Sequence, residues 1–140
     1  MNKAWKNALR SGSVETLAHL LSTGADINAR DEHGQTALMN AARVGHSRVI
    51  EWLIAHGAAL DHTAKYGLSA LMLAVVNGHR DVVRALVDAG ADTGLCGSGA
   101  PGFAGRTALD LALARNDSGM VEILGSDSVR KEDSSGSEPP

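Results

Sequence analysis

Apolar positions along the chain fall into columns that repeat at a distance. One column reads Trp5, Leu38, Leu71 and Leu109, and a second, three residues further on, reads Ala8, Ala41, Ala74 and Ala112. Beyond them come Leu17, Ile50, Val83 and Val121, followed again after three residues by Leu20, Leu53, Leu86 and Leu124. A spacing of three puts both members of a pair on one side of a helix, so each pair predicts one short amphipathic helix with polar residues on its other side. Glycines at 12, 45 and 78 separate the two predicted helices of a unit. The pattern is therefore helix, tight turn, helix, then a longer excursion into the next copy.

The excursions keep the same register. Gly34-Gln35-Thr36-Ala37-Leu38-Met39 returns after 33 residues as Gly67-Leu68-Ser69-Ala70-Leu71-Met72, and after 38 more as Gly105-Arg106-Thr107-Ala108-Leu109-Asp110. Gly24-Ala25, Gly57-Ala58 and Gly90-Ala91 are each 33 apart. Five extra residues must lie between Ala91 and Gly105. A fixed internal period means an array of one small unit. Thr36, Ser69 and Thr107 precede the first helix of their units and supply an N-cap hydroxyl.

The period and the stretches Gly34 through His46 and Gly67 through His79 resemble the ankyrin repeat. Glycines, Ala-Ala pair and Gly-His pair agree together over residues 1 to 125. The resemblance implies an all-α solenoid of stacked helix-turn-helix units with short β-turn or hairpin fingers. The repeats would fall near 1–30, 31–63, 64–96 and 102–125, with an inserted loop at 93–105 and a disordered tail at 126–140. The sequence departs from the family motif in two columns. The proline is Ala37, Ala70 and Ala108, which keeps good helix propensity. The histidine is Met39, Met72 and Asp110, so the family's Thr-to-His hydrogen bond is not expected and packing must compensate. Asn28 matches the family's turn asparagine, which ties down the finger; His62 and Leu95 are expected in that column of the later units.

Both ends read as caps. The first unit lacks a preceding Gly-x-Thr turn and carries Lys3, Lys6, Asn7 and Arg10 toward water. The last answers Gly78-His79 with Asn116-Asp117 and Val87 with Gly125. A single unit with about five buried aliphatics, worth roughly 1.5–3 kcal/mol each, cannot offset its own ordering entropy. Three or more stacked units can.

Composition narrows the rest. Only 3% of residues are aromatic and there are 16 glycines, so the core must be made of small aliphatics. A net charge of −3 gives no electrostatic case for nucleic acid, so none is expected as a partner. The single cysteine, Cys96, permits no internal disulfide and suits a reducing compartment. Neither a signal-peptide core nor a membrane-length apolar run is visible, which makes a cytoplasmic monomer the expectation. In the tail, Ser134 and Ser135 lie beside Glu132, Asp133 and Glu138 and are candidate phosphorylation positions.

No catalytic constellation is legible. His46 and His79 share a column and are expected to satisfy backbone groups at the inter-helix turns. His56 and His62 flank a turn without a third ligand, so no metal is expected. Cys96 has no flanking cation to activate it. The Gly-rich stretch 94–105 lacks both the preceding strand and the Lys-Ser/Thr of a phosphate loop, so no cofactor is expected.

What remains is surface. The resemblance implies a non-catalytic module that binds a partner protein on a concave face made of fingers and first helices. The finger positions are Arg30, Glu32, His33 and Gln35; then Thr63, Lys65, Tyr66 and Leu68; then Phe103 and Arg106. First-helix ends add Arg10, Arg43, Val44, Val76, Asn77 and Arg115. Tyr66 and Phe103 are the only Tyr and Phe in the chain, and aromatics with arginines dominate binding hot spots. Phe103 is expected either to face a partner or to fold back and pin the insertion. Self-assembly of the array and, more remotely, small-ligand or metal binding are the alternatives.

Overall fold

The computed structural model describes residues 3–125; the expected disordered tail lies outside them. Helices come in pairs: α1 (Lys3–Ser11) with α2 (Val14–Ser22), α3 (Ala37–Val44) with α4 (Ser47–Ala55), and α5 (Ala70–Val76) with α6 (Arg80–Asp88). The fourth pair is α7 (Ala108–Ala114) with α8, helical over 118–125. The described residues contain no strand, only one isolated bridge between Gly97 and Ala104. The fold is the all-α repeat stack that the columns predict, with fingers built as turns.

Each inner helix starts where its hydroxyl cap sits. Thr36 Oγ1 accepts from the Met39 amide at 3.3 Å, Ser69 Oγ from Met72 at 3.3 Å, and Thr107 Oγ1 from Asp110 at 3.3 Å. These bonds satisfy donors that helix geometry leaves orphaned. Met39 and Met72 are buried, as a column that gave up its histidine requires. Asp110 does more than fill space: its Oδ2 accepts from the Thr107 amide at 3.0 Å and completes a reciprocal capping box.

Packing forms two layers. The odd-numbered helices α1, α3, α5 and α7 follow one another along the inner layer, and the even-numbered ones along the outer. Inner neighbours approach more closely than outer ones, because alanines line the inner seam. Ala37, Ala41, Ala70, Ala74, Ala108 and Ala112 are all buried. The stack therefore bends with its first helices inside. Leu17, Ile50 and Val83 fill the outer layer and are fully buried.

The last pair shows what a missing neighbour does. Ala42 and Val75 are each 0% exposed, whereas Leu113 at the matching position is 53% exposed. Leu109 and Val121 are half-buried for the same reason.

Polar bonds stitch one unit to the next. The His79 ring nitrogen Nε2 lies 3.0 Å from the Arg43 carbonyl, which is the backbone role the sequence assigns to it. In the next unit Asp117 occupies the histidine column, and Arg115 takes over by donating to the equivalent Val76 carbonyl at 2.8 Å. Asn28 Oδ1 accepts from Ala59 N at 2.8 Å, as expected of the turn asparagine. One unit on, the matching acceptor is Asp61, which takes the Asp92 amide at 2.8 Å. The expected His62 and Leu95 are each displaced by one residue; Asp61 and Gly94 hold that column, and a carboxylate oxygen replaces the amide oxygen. On the outer layer Arg80 clamps Asp117 through Nε at 2.9 Å and a second nitrogen at 2.7 Å.

The inter-helix turns need left-handed backbone: φ is 72° at Gly12, 89° at Gly45, 77° at Gly78 and 57° at Asn116. Asparagine is the side chain that best tolerates that region, so the fourth turn keeps its shape after losing its glycine. A Cβ at Gly45 would stand 2.6 Å from His79 Nδ1, whereas one at Gly57, with φ 81°, would meet nothing within 4 Å. Gly57→Ala is therefore expected to cost about 1–2 kcal/mol of backbone strain. Gly45→Ala should cost about 1 kcal/mol more by displacing the imidazole from the Arg43 carbonyl. Urea unfolding of the two variants measures the gap, and equal losses would remove any weight from that stitch.

Candidate functional site

Three fingers rise from the inner layer, and hydrogen bonds fix their register. Asp31 N donates to Gln35 O at 2.9 Å, Ala64 N to Leu68 O at 2.9 Å, and Gly97 N to Arg106 O at 2.9 Å. The first two closures span four residues and the third spans nine. All five extra residues thus lie inside the third finger, between Gly97 and Arg106, a narrower place than the expected loop at 93–105.

The insertion folds back on itself and on its neighbour. Phe103 N and Ala104 N both donate to Ala100 O, at 3.0 and 2.9 Å, and Ser98 N donates to Tyr66 O at 2.7 Å. Gly97 must be glycine: a Cβ there would stand 2.4 Å from the Phe103 carbonyl. Phe103 is half-buried against the edge of the core and stacks on Tyr66 with ring centroids 6.1 Å apart. It pins the loop and still leaves one side on the surface. Tyr66 carries φ 66°, a strained value for a bulky residue, held by the Ser98 amide on its carbonyl. Lys65 Nζ sits 5.0 Å above the Tyr66 ring.

Two adjoining grooves run between fingers and inner helices. The first, about 520 Å3, is lined by Arg10, Arg43 and Val44 from the helix ends and by Glu32, His33 and Gln35 from the first finger. The second, about 600 Å3, shares Glu32, His33 and Gln35 and continues over Lys65, Tyr66, Leu68 and Phe103. Val44 at 49% and Tyr66 at 37% are exposed, unusual for side chains of their size. The grooves also use Lys6, Leu9, Asp31 and Asn40 on one side and Ala64 and Leu73 on the other. Of these six, Leu9 and Leu73 belong to the buried core, while Lys6 pairs with Glu32 and Asp31 takes the first finger's own amides.

The remaining surface candidates lie outside the two grooves. Arg30 spans two fingers, donating to Gly34 O at 2.7 Å and Thr63 O at 2.9 Å. Asn77 donates to Leu73 O at 2.8 Å within its own helix end, and Val76 offers the carbonyl that Arg115 takes. Arg106 is exposed at the base of the third finger. Among the described residues no group of three His, Cys, Asp or Glu is placed to hold a metal ion. His56 instead uses Nδ1 against the Trp52 carbonyl at 2.8 Å and stacks on that indole.

Asp31 organises the first finger. Burial by itself would raise its carboxyl, but amides of Gln35 and His33 at 2.9 Å and the Asn40 side chain at 3.2 Å outweigh that and hold it below the usual carboxylate range. Glu32 is held low chiefly by its hydrogen-bonded ion pair with Lys6, which ties this finger to α1. Asp117 is held low chiefly by Arg80. Carboxyls depressed on folding add stability above their unfolded value, about pH 4, and lose it as pH falls through their lower folded values. Asp31→Asn should accordingly lower the melting temperature at neutral pH and flatten its decline between about pH 4 and 2. Melting curves across that range check this; parallel declines for both proteins would deny Asp31 that part.

A search of curated proteins gives no match. The family described as Ankyrin repeats (3 copies) matches residues 5–96, ending just before the lengthened finger. That family consists generally of protein-protein interaction modules and is typically non-enzymatic. With about two thirds of the sequence matched and the fourth helix pair repeating the same caps, turn and stitches, the chain belongs to the ankyrin-repeat family.

Proposed function

We propose that the chain is a non-catalytic binding module that holds a partner protein along the two joined grooves. The observation that carries this is the division of labour between columns. Residues that repeat are buried or stitch the stack, whereas Arg43, Val44, Lys65, Tyr66 and Phe103, which do not repeat, line the grooves. Large aromatic and apolar side chains left on a rigid face are what anchor a partner. The chain acts as a monomer in the cytoplasm, with Cys96 a free, exposed thiol. A second reading, stacking of copies through the end face, is favoured by exposed Leu113; light scattering of the purified chain separates the two.

The test is affinity capture from native extract with three baits: the unaltered chain, Arg43→Ala/Tyr66→Ala, and the outer-layer control Glu51→Ala/Arg84→Ala. A partner should be recovered equally by the first and third and about tenfold less by the second, since central anchors cost more than 1 kcal/mol when truncated. Arg43→Ala alone should leave stability within about 0.5 kcal/mol. Equal recovery on all three baits would move the site off this face.

A further inference from the structure

Charge is divided between the two sides of the stack, although the chain as a whole is mildly acidic. The first helices and fingers (3–11, 30–44, 63–77 and 96–115) carry eight Lys or Arg and three Asp or Glu. The second helices and the loops after them (12–29, 45–62, 78–95 and 116–125) carry three Lys or Arg and nine Asp or Glu. A sheet of positive charge thus faces the grooves and a sheet of negative charge faces away.

The few inner acids are already engaged. Asp31 is tied by three donors, Asp110 closes a capping box, and Glu32 pairs with Lys6. Several inner cations are left without one: among the described residues Arg10, Arg43, Lys65 and Arg106 have no carboxylate partner. They fall one to each unit. Arg10 and Arg43 line the first groove, and Lys65 borders the second beside its apolar hollow of Tyr66, Leu68, Leu73 and Phe103, while Arg106 stands at the base of the third finger.

Resting on the groove reading above, we propose that the partner contributes an extended acidic segment. Its carboxylates come about three residues apart, and one apolar side chain enters the hollow between Tyr66 and Phe103. The spacing follows from geometry: packed helices lie roughly 8–10 Å apart and an extended chain rises about 3.3 Å per residue, so one unit spans about three residues. A nucleic-acid duplex fits worse, because each of its strands carries a phosphate about every 3.4 Å of axis, some three times as densely as these cations. The opposed charge sheets also orient an acidic partner as it approaches, an effect that salt weakens.

The experiment selects displayed random peptides of about twelve residues, the span of four units. The baits are the full chain and its Arg43→Glu/Arg106→Glu and Tyr66→Ala variants, with melting curves confirming that each is folded. The full chain should enrich peptides with Asp or Glu at a period of three and one apolar residue. A synthetic peptide from that pool should bind about tenfold more weakly to the charge-reversed variant. Neutral peptides that are lost on Tyr66→Ala would overturn the acidic partner while leaving the groove in place; a pool unchanged on both variants would overturn both. Tighter binding of oligothymidylate than of any selected peptide would give the face to nucleic acid and end the proposal. So would a doubled mass abolished by Arg43→Glu, which would assign it to a second copy. If acidic peptides were enriched only after Asp127, Glu132, Asp133 and Glu138 were neutralised, the occupant would be the chain's own tail, and the outside partner would be excluded.

Discussion

The close approach of the inner helices is the constraint from which the rest of the molecule follows. Alanine at 41, 74 and 112 brings α3, α5 and α7 together along a seam too narrow for larger side chains. The outer helices, spaced by Leu, Ile and Val, cannot come as near. That difference bends the array and sets the grooves along its inner side. Close packing of this kind leaves little tolerance for volume change, so the shape of the face is set several ångströms beneath it.

Much of this was legible from spacing. Columns three apart gave the helix pairs, the 33-residue period gave the stack, and the 38-residue step gave the enlarged finger. What spacing hid was the exchange of roles between unlike side chains. Arg115 reaches the carbonyl that the histidine column would serve, from two positions away, because a long flexible side chain is not bound to its register. Asp61 does the work of Asn28 because a backbone amide donates equally well to a carboxamide or a carboxylate oxygen. Asn116 keeps a left-handed turn whose letter had changed. The fourth unit looks degenerate as text and regular as structure.

The face was legible only in part. Ten of the sixteen expected surface residues border the two grooves, while Arg30, Val76, Asn77 and Arg115 are drawn into bonds inside the stack. A variable column shows only that the framework does not need a residue. Whether that residue then points outward or bonds internally depends on the carbonyls within its reach, and those are fixed by curvature. The charge division could be counted only after each residue had been given a layer. Phe103 resolves in the same way, since its ring is wide enough to anchor the insertion with one side and line the hollow with the other.

Stitches such as His79 to Arg43, Arg115 to Val76 and Arg80 to Asp117 join adjacent units, each in the same few places. Under tension applied at the ends, the stack is thus a series of couplings loaded one after another. Each coupling bears the full force, and none can share it with a distant part of the chain. Its mechanical strength is that of its weakest junction, however well the others are made, and extension would proceed in steps of one unit.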